Sequence, residues 1–339
     1  MTLRPVLASL CLASALAAVA CGASDTGSGA PGDSAPGDNP AGPTPPNSQD
    51  PPTTLGSPQT LPKPPPGADS GAPDGSPVPP VTVPPGSCGT KNPATGFLAN
   101  VSLTVGTIAR TYALTVPTGY DGTKLYPIVI GFHGDGGNGA GYRSSLAIEA
   151  QAPQGAIFVW PNGTNNNNGH SFDQGHDPPS NADVAFFDAM VTSISTTYCA
   201  DKARVYVHGM SGGAYFTNQL GRWRSSAIRA IAPQSGGGPF GVLGSDFDAT
   251  GNVALTGALP ALFVHGLADT TVDISEGQKS LAYWRRADKS TPGQAATTPS
   301  PCQKQNGTVD QVVFCAIPGL NHAIWSGAPA AIWQFFAAN

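Results

Sequence analysis

Charge is scarce. Asp, Glu, Lys and Arg make up 11% of the 339 residues, and from residue 88 onward fourteen basic side chains stand against fifteen acidic ones. Nucleic-acid binding needs clustered Lys and Arg, so neither nucleic acid nor a polyanionic substrate is expected. Long apolar runs are missing too: the stretch 6–20 spans about 15 residues, too short for a bilayer span. Six cysteines are present but none forms a C-x-x-C pair, which argues against zinc. No G-K-[ST] follows the glycine-rich stretch at 134–139, so a phosphate cradle is excluded there. No internal repeat is visible.

Proline and glycine are abundant and unevenly placed. Residues 22–87 hold 19 of the 35 prolines and 11 of the 43 glycines, a composition that cannot bury a core. Before it, Arg4 and the apolar stretch 6–20 read as an export signal. Ala18-Val19-Ala20 fits small-x-small cleavage, and Cys21 stands where a bacterial lipoprotein carries its lipid. The expected organisation is a signal peptide over 1–20, a disordered tether over 21–87 and a folded catalytic domain over 88–339. The product would be secreted or on the cell surface, lipid-anchored at Cys21 in a bacterial envelope; plain secretion would leave Cys21 an odd thiol. Losing Cys11 with the signal and lipidating Cys21 leaves an even four: Cys88, Cys199, Cys302 and Cys315. Four cysteines allow three pairings. Cys88 with Cys199 and Cys302 with Cys315 is favoured, each bridge contributing about 2 to 4 kcal/mol.

From residue 97, apolar runs alternate with helical patterns, which predicts an α/β fold with a mostly parallel central sheet and helices on both faces. Residues 100–116 suggest two antiparallel strands around Gly106. Further strands are expected at 126–132, 156–160, 204–207, 228–232, 261–265 and 311–315. Val184, Phe187, Val191, Ile194 and Tyr198 recur every three or four residues, predicting a helix over 182–199 with Asn181 as its cap. Other helices should follow Ser211, lie around 278–286 and close the chain at 329–336. The Asn-rich stretch 162–170 reads as a solvated loop.

The strongest chemical signal is Gly209-Met210-Ser211-Gly212-Gly213, a G-x-S-x-G sequence between a strand and a helix. Flanking glycines let the chain turn sharply and present the serine hydroxyl at a helix amino end. That hydroxyl is a weak nucleophile and needs a base and a group to orient the base. Downstream lie two histidines: His265 ends an apolar strand and reads as backbone-bonded, whereas His322 sits in a polar turn and is the candidate base. Asp269, just past the strand LFVH, is the candidate acid, with Asp273 the alternative; Asp246 and Asp248 read as solvated loop charges. The oxyanion needs two N–H donors, assigned to Gly212 and Asp135. For Asp135 this requires its carboxylate to turn away from the developing charge. Tyr142, Trp160 and Trp325 are candidates for an apolar substrate wall, His208 reads as a packed strand histidine, and the stretch 169–177 as an irregular loop lining the cleft rather than a metal site.

The segments YPIVIGFHGDGGN, NADVAFFDAMVTSISTTYCADKARVYVHGMSGGA, IRAIAPQSG, LFVHGLADTTV and PGLNHAIW carry a further signal in their order and spacing. Residues 108–339 resemble the secreted α/β-hydrolases grouped as feruloyl esterases, acetylxylan esterases and polyhydroxybutyrate depolymerases, carbohydrate esterase family 1. The resemblance implies Ser211 as nucleophile, Asp269 as acid and His322 as base. It departs from the depolymerases at Asp135, where Cys is frequent, and in an expected unstructured tether where those enzymes often have a separate polymer-binding domain. The expected protein is therefore a monomeric serine ester hydrolase working through an acyl-enzyme without a cofactor. Its expected substrate is a feruloylated or acetylated plant polysaccharide, with polyester depolymerisation as the alternative. A serine peptidase and an inactive cell-surface binding module are the remaining rivals.

Overall fold

A computed structural model describes residues 82–84, 88–90, 92–166, 169–307 and 310–339. The expected signal peptide, Cys21 and all of the tether except residues 82–84 lie outside the described residues. The chain first forms the hairpin β1 (Gly96–Val105) and β2 (Ile108–Val116), then β3 (Tyr126–Phe132), α1 (Gly139–Leu146) and β4 (Ile157–Pro161). A small hairpin follows, β5 (Thr164–Asn166) and β6 (Gly169–Ser171), then α2 (Ala182–Thr197), β7 (Ala200–Met210), α3 (Gly212–Trp223) and β8 (Ala230–Gln234). The remainder is β9 (Ala261–Gly266), α4 (Ile274–Ala287), β10 (Gln294–Ala296), β11 (Cys302–Gln305), β12 (Val312–Ile317) and α5 (Ala328–Ala337).

Ten strands form one sheet in the order β1-β2-β4-β3-β7-β8-β9-β12-β11-β10. The six from β4 to β12 are mutually parallel, and an antiparallel pair extends each edge. Parallel strands are covered on both faces and so read as unbroken apolar runs; β3, β4, β8 and β9 are buried at every residue. Because side chains alternate along a strand, the core divides in two. Ile128, Ile130, Val205 and Val207 pack with α2, α3 and α4, whereas Val129, Tyr206 and Met210 pack with α1 and α5.

Asn181 caps α2 as its sequence suggests, its side chain accepting from the Asp183 and Val184 N–H groups. The disulfides are Cys88–Cys199, pinning the start of the described domain to the end of α2, and Cys302–Cys315, opposite each other on β11 and β12. Three features differ from expectation. The stretch 162–170 contains a strand pair, with Thr164 opposite Ser171, in place of a loop. Asp246 is not a solvated charge: Arg222 donates to it at 2.9 Å and the Val242 and Leu243 N–H groups bond its other oxygen. Helix α1 carried little apolar periodicity, yet Asn138 caps it and Tyr142 and Leu146 anchor it.

Candidate active site

The site lies at the carboxyl ends of β3, β7, β9 and β12, near the point where the chain reverses its direction of travel across the sheet. Ser211 bridges β7 and α3 with φ 56° and ψ −123°, a conformation that L side chains rarely adopt. The bend is tight enough to demand two of its glycines. A Cβ on Gly209 would lie 2.3 Å from the Gly213 carbonyl oxygen, and one on Gly213 would lie 2.2 Å from that of Phe132. The Ser211 N–H donates to the Gln234 carbonyl at 3.0 Å, tying the elbow to β8.

Three distant residues meet here. His322 Nε2 is 2.9 Å from Ser211 Oγ, and His322 Nδ1 is 2.8 Å from Asp269 Oδ2. The other Asp269 oxygen accepts from the Thr271 and Val272 N–H groups at 3.0 and 2.9 Å. Burial pushes the Asp269 carboxyl up, but the bonds from His322, Val272 and Thr271 outweigh it and hold its pKa below the ordinary Asp value. A carboxylate facing Nδ1 requires a proton there, which leaves Nε2 as the acceptor for the serine hydroxyl. Asp273, the alternative acid, instead caps α4 by accepting from the Ser275 N–H. His265 bonds the Val272 carbonyl through Nε2 at 2.9 Å, the backbone role its strand-end position suggests.

The glycine-rich loop after β3 comes close to the serine: a Cβ on Gly134 would lie 3.1 Å from Ser211 Cβ. Its amides sort themselves by use. Gly136 donates to the His170 carbonyl, Gly137 to the Gly134 carbonyl and Gly139 to Asn162 Oδ1. The Asp135 N–H has no such partner among the described residues, and Gly212, at the first helical position, has none within its helix. The Asp135 side chain lies against the helix that follows Ser211. Its Oδ1 lies 2.0 Å from where a Cβ on Gly212 would be, so it packs on the first turn of α3. Partial burial raises its pKa above the ordinary Asp value, and the positive end of the helix dipole offsets part of its charge.

The cleft over Ser211 has a volume of about 360 Å³ and is lined in part by Asp135, Tyr142, Met210, His322 and Ile324. Tyr142 thus lines the cleft. Trp160 does not: it is fully buried, its indole N–H donates to Glu149 Oε1, and it packs edge-on against Tyr142. Trp325 packs over Gly327 against the α5-side core, and its neighbour Ile324 takes the place at the cleft wall. His208 is buried beneath Tyr142, whose hydroxyl meets Nδ1 at 3.2 Å, and burial holds its pKa down to about 3. In the stretch 169–177, His176 pairs with Asp173, and the described residues hold no cluster of three metal-ligating side chains.

Several positioning residues had no distinctive sequence signal. The Gly163 N–H donates to His133 Nε2, so the proton must sit on Nδ1, which donates to the Gly134 carbonyl at 2.7 Å. Burial lowers its pKa, keeping the ring neutral and the loop fixed. Gln174 donates to the Gly212 carbonyl, and Gln234 to the Ala323 carbonyl beside His322.

This sheet, with a serine elbow after a central strand and a histidine on the loop after the last parallel strand, defines an α/β-hydrolase. Among solved structures, acetyl xylan esterase from Aspergillus awamori aligns with a TM-score of 0.54 at 17% identity, covering 71% of this chain and 99% of that one. In sequence, probable feruloyl esterase C of Aspergillus niger is 30% identical over 252 residues, covering 68% of this chain and 84% of that protein. Feruloyl esterase C of Emericella nidulans is 29% identical over 249 residues, with the same coverage. No family model matches. The chain belongs to the feruloyl esterase C family and is a carboxylic ester hydrolase.

Proposed function

We propose that this protein is a serine esterase that removes feruloyl or acetyl groups from plant cell-wall polysaccharide through an acyl-enzyme. The reading rests on one observation above all, the hydrogen-bonded chain from Ser211 through His322 to Asp269. His322 Nε2 takes the hydroxyl proton as Ser211 Oγ attacks the ester carbonyl. The tetrahedral oxyanion is received by the Asp135 and Gly212 N–H groups; a donor of this kind is worth about 3 kcal/mol in the transition state. Its collapse expels the alcohol, which takes the proton from His322. Water then enters, gives a proton to the same nitrogen and releases the acid, returning the proton to Ser211. Asp269 holds the imidazole in the required tautomer throughout, and no step calls for a cofactor.

The remaining assignments belong to the same proposal: a signal over 1–20, a tether over 21–87 with a lipid on Cys21, and a monomeric catalytic domain over 88–339. The two disulfides support an oxidising compartment outside the cytosol. The test compares methyl ferulate, acetylated xylan and polyhydroxybutyrate with the wild type and Ser211→Ala. Hydrolysis of the first two that disappears in a folded Ser211→Ala variant supports the reading. Preferential turnover of the polyester, or activity surviving without the hydroxyl, refutes it.

A further inference from the structure

A second depression opens beside the catalytic cleft, with a volume of about 520 Å³. One wall is β1 and β2, the other the β5–β6 hairpin and the segment leading into it. Asn138 lines both this groove and the cleft over Ser211, so the two adjoin at that side chain. The shared loop is fixed to the hairpin by the Gly136 N–H, which donates to the His170 carbonyl at 2.9 Å.

The lining has a consistent chemistry. Asn100, Asn138, Thr164, Asn165 and His170 are exposed and polar, and Ile108 adds an apolar face at 48% exposure. The one residue with a full-time charge among those described around the groove is Arg110. Its guanidinium is 3% exposed and paired with Asp183 at 2.6 Å, so it brings little charge to the groove. Asn138 spends Oδ1 on the Gly141 N–H, which leaves its NH₂ end for a ligand. Asn100 lies in a β-bulge, where the β1–β2 register shifts between Leu98 and Val101; bulges re-aim side chains. Amides and hydroxyls that donate and accept, beside an aliphatic patch and with little charge, suit a neutral polyhydroxyl chain: hydroxyls bond the amides and ring C–H faces rest on Ile108.

We propose that this groove binds the neutral polysaccharide backbone that carries the ester, holding several sugar units beyond the bond cleaved at Ser211. The inference rests on the esterase reading and adds where the alcohol side of the substrate lies. Methyl ferulate, having no glycan, does not reach it.

The test uses Asn100→Ala combined with Asn165→Ala, two exposed positions outside the catalytic machinery, and separately Thr164→Trp, which fills the groove. For a feruloylated xylan oligosaccharide, KM is expected to rise about tenfold in both variants, while kcat/KM for methyl ferulate stays at the wild-type value. In a Ser211→Ala background, ester-free xylo-oligosaccharide should shift amide resonances around β1 and β5, and these shifts should vanish on adding either groove variant. Equal effects on the two esters, no effect on either, or tighter binding of oligogalacturonate than of xylo-oligosaccharide would overturn the proposal. Failure of the esterase reading would look different: the wild type would not turn over methyl ferulate at all, whatever its glycan binding.

Discussion

Replacing Asp269 by Asn tests the proton geometry without emptying space. Its Oδ1 accepts two backbone N–H groups, from Thr271 and Val272, whereas Oδ2 is within hydrogen-bond distance of one ring nitrogen, His322 Nδ1, with His265 Nε2 farther off at 3.7 Å. An asparagine has one oxygen, and two backbone donors will hold it at the Oδ1 position. Its NH₂ group then faces His322. Two donors cannot share that contact, so the ring must keep its proton on Nε2, leaving the hydroxyl 2.9 Å away with no base. The equivalent exchange in the serine-protease triad lowers kcat about 10⁴-fold, or about 5.4 kcal/mol at 1.36 kcal/mol per tenfold. The assay is kcat for methyl ferulate at saturation, with a thermal melt to establish folding. The expected variant melts near the wild type, keeps KM and loses about four decades of kcat. A folded variant retaining more than a tenth of wild-type kcat would refute the tautomer argument.

The elbow glycines should divide by what their Cβ would strike. Gly213→Ala meets two backbone carbonyl oxygens, of Phe132 at 2.2 Å and His133 at 2.5 Å, and should destabilise by about 1 to 3 kcal/mol in urea titrations and cripple turnover. For Gly212→Ala the three nearest atoms all belong to the Asp135 side chain, which can rotate, and the variant should keep its melting temperature. Asp246 concerns acid stability. The hydrogen bond from Arg222, with the Val242 and Leu243 N–H groups, holds its pKa down to about 2. A lowered carboxyl stabilises fully above its unfolded value of about 4 and loses that contribution as pH falls through the folded one. Asp246→Asn should thus melt below the wild type at neutral pH, with the gap closing by about pH 2; a constant gap would contradict the assignment. For the disulfides, chain entropy gives about 3 kcal/mol for a 15-residue loop and about 4.7 for a 100-residue one. The pairs here span 13 and 111 residues, so Cys88→Ser with Cys199→Ser should cost more stability than Cys302→Ser with Cys315→Ser.

The parallel strands were legible because burial on both faces writes them as apolar runs such as YPIVIGF. Ser211 was legible because its backbone geometry requires glycines that leave a pattern, and His322 and Asp269 because each follows a recognisable strand. What was not legible depends on tertiary contact. Trp160 ends a strand close to the site, but only the fold shows its ring pointing into the α1-side core and not the cleft. Asp246 sits in a polar, glycine-rich segment, and nothing local foretells that Arg222 on α3 will bury a guanidinium against it. Strand β5 contains two asparagines, poor strand formers, and the hairpin's wall of the second groove appears only once β6 is fixed to the loop after β3.

The central claim is that Ser211 carries the acyl group. Rapid acid quenching of wild-type enzyme during turnover of a slow feruloyl ester, followed by peptide mass spectrometry, tests it most directly. The expected result is a feruloyl adduct on the peptide containing Ser211, absent in Ser211→Ala. Continued turnover with an adduct on another residue, or with none under conditions that accumulate acyl-enzyme in a control serine esterase, would contradict it.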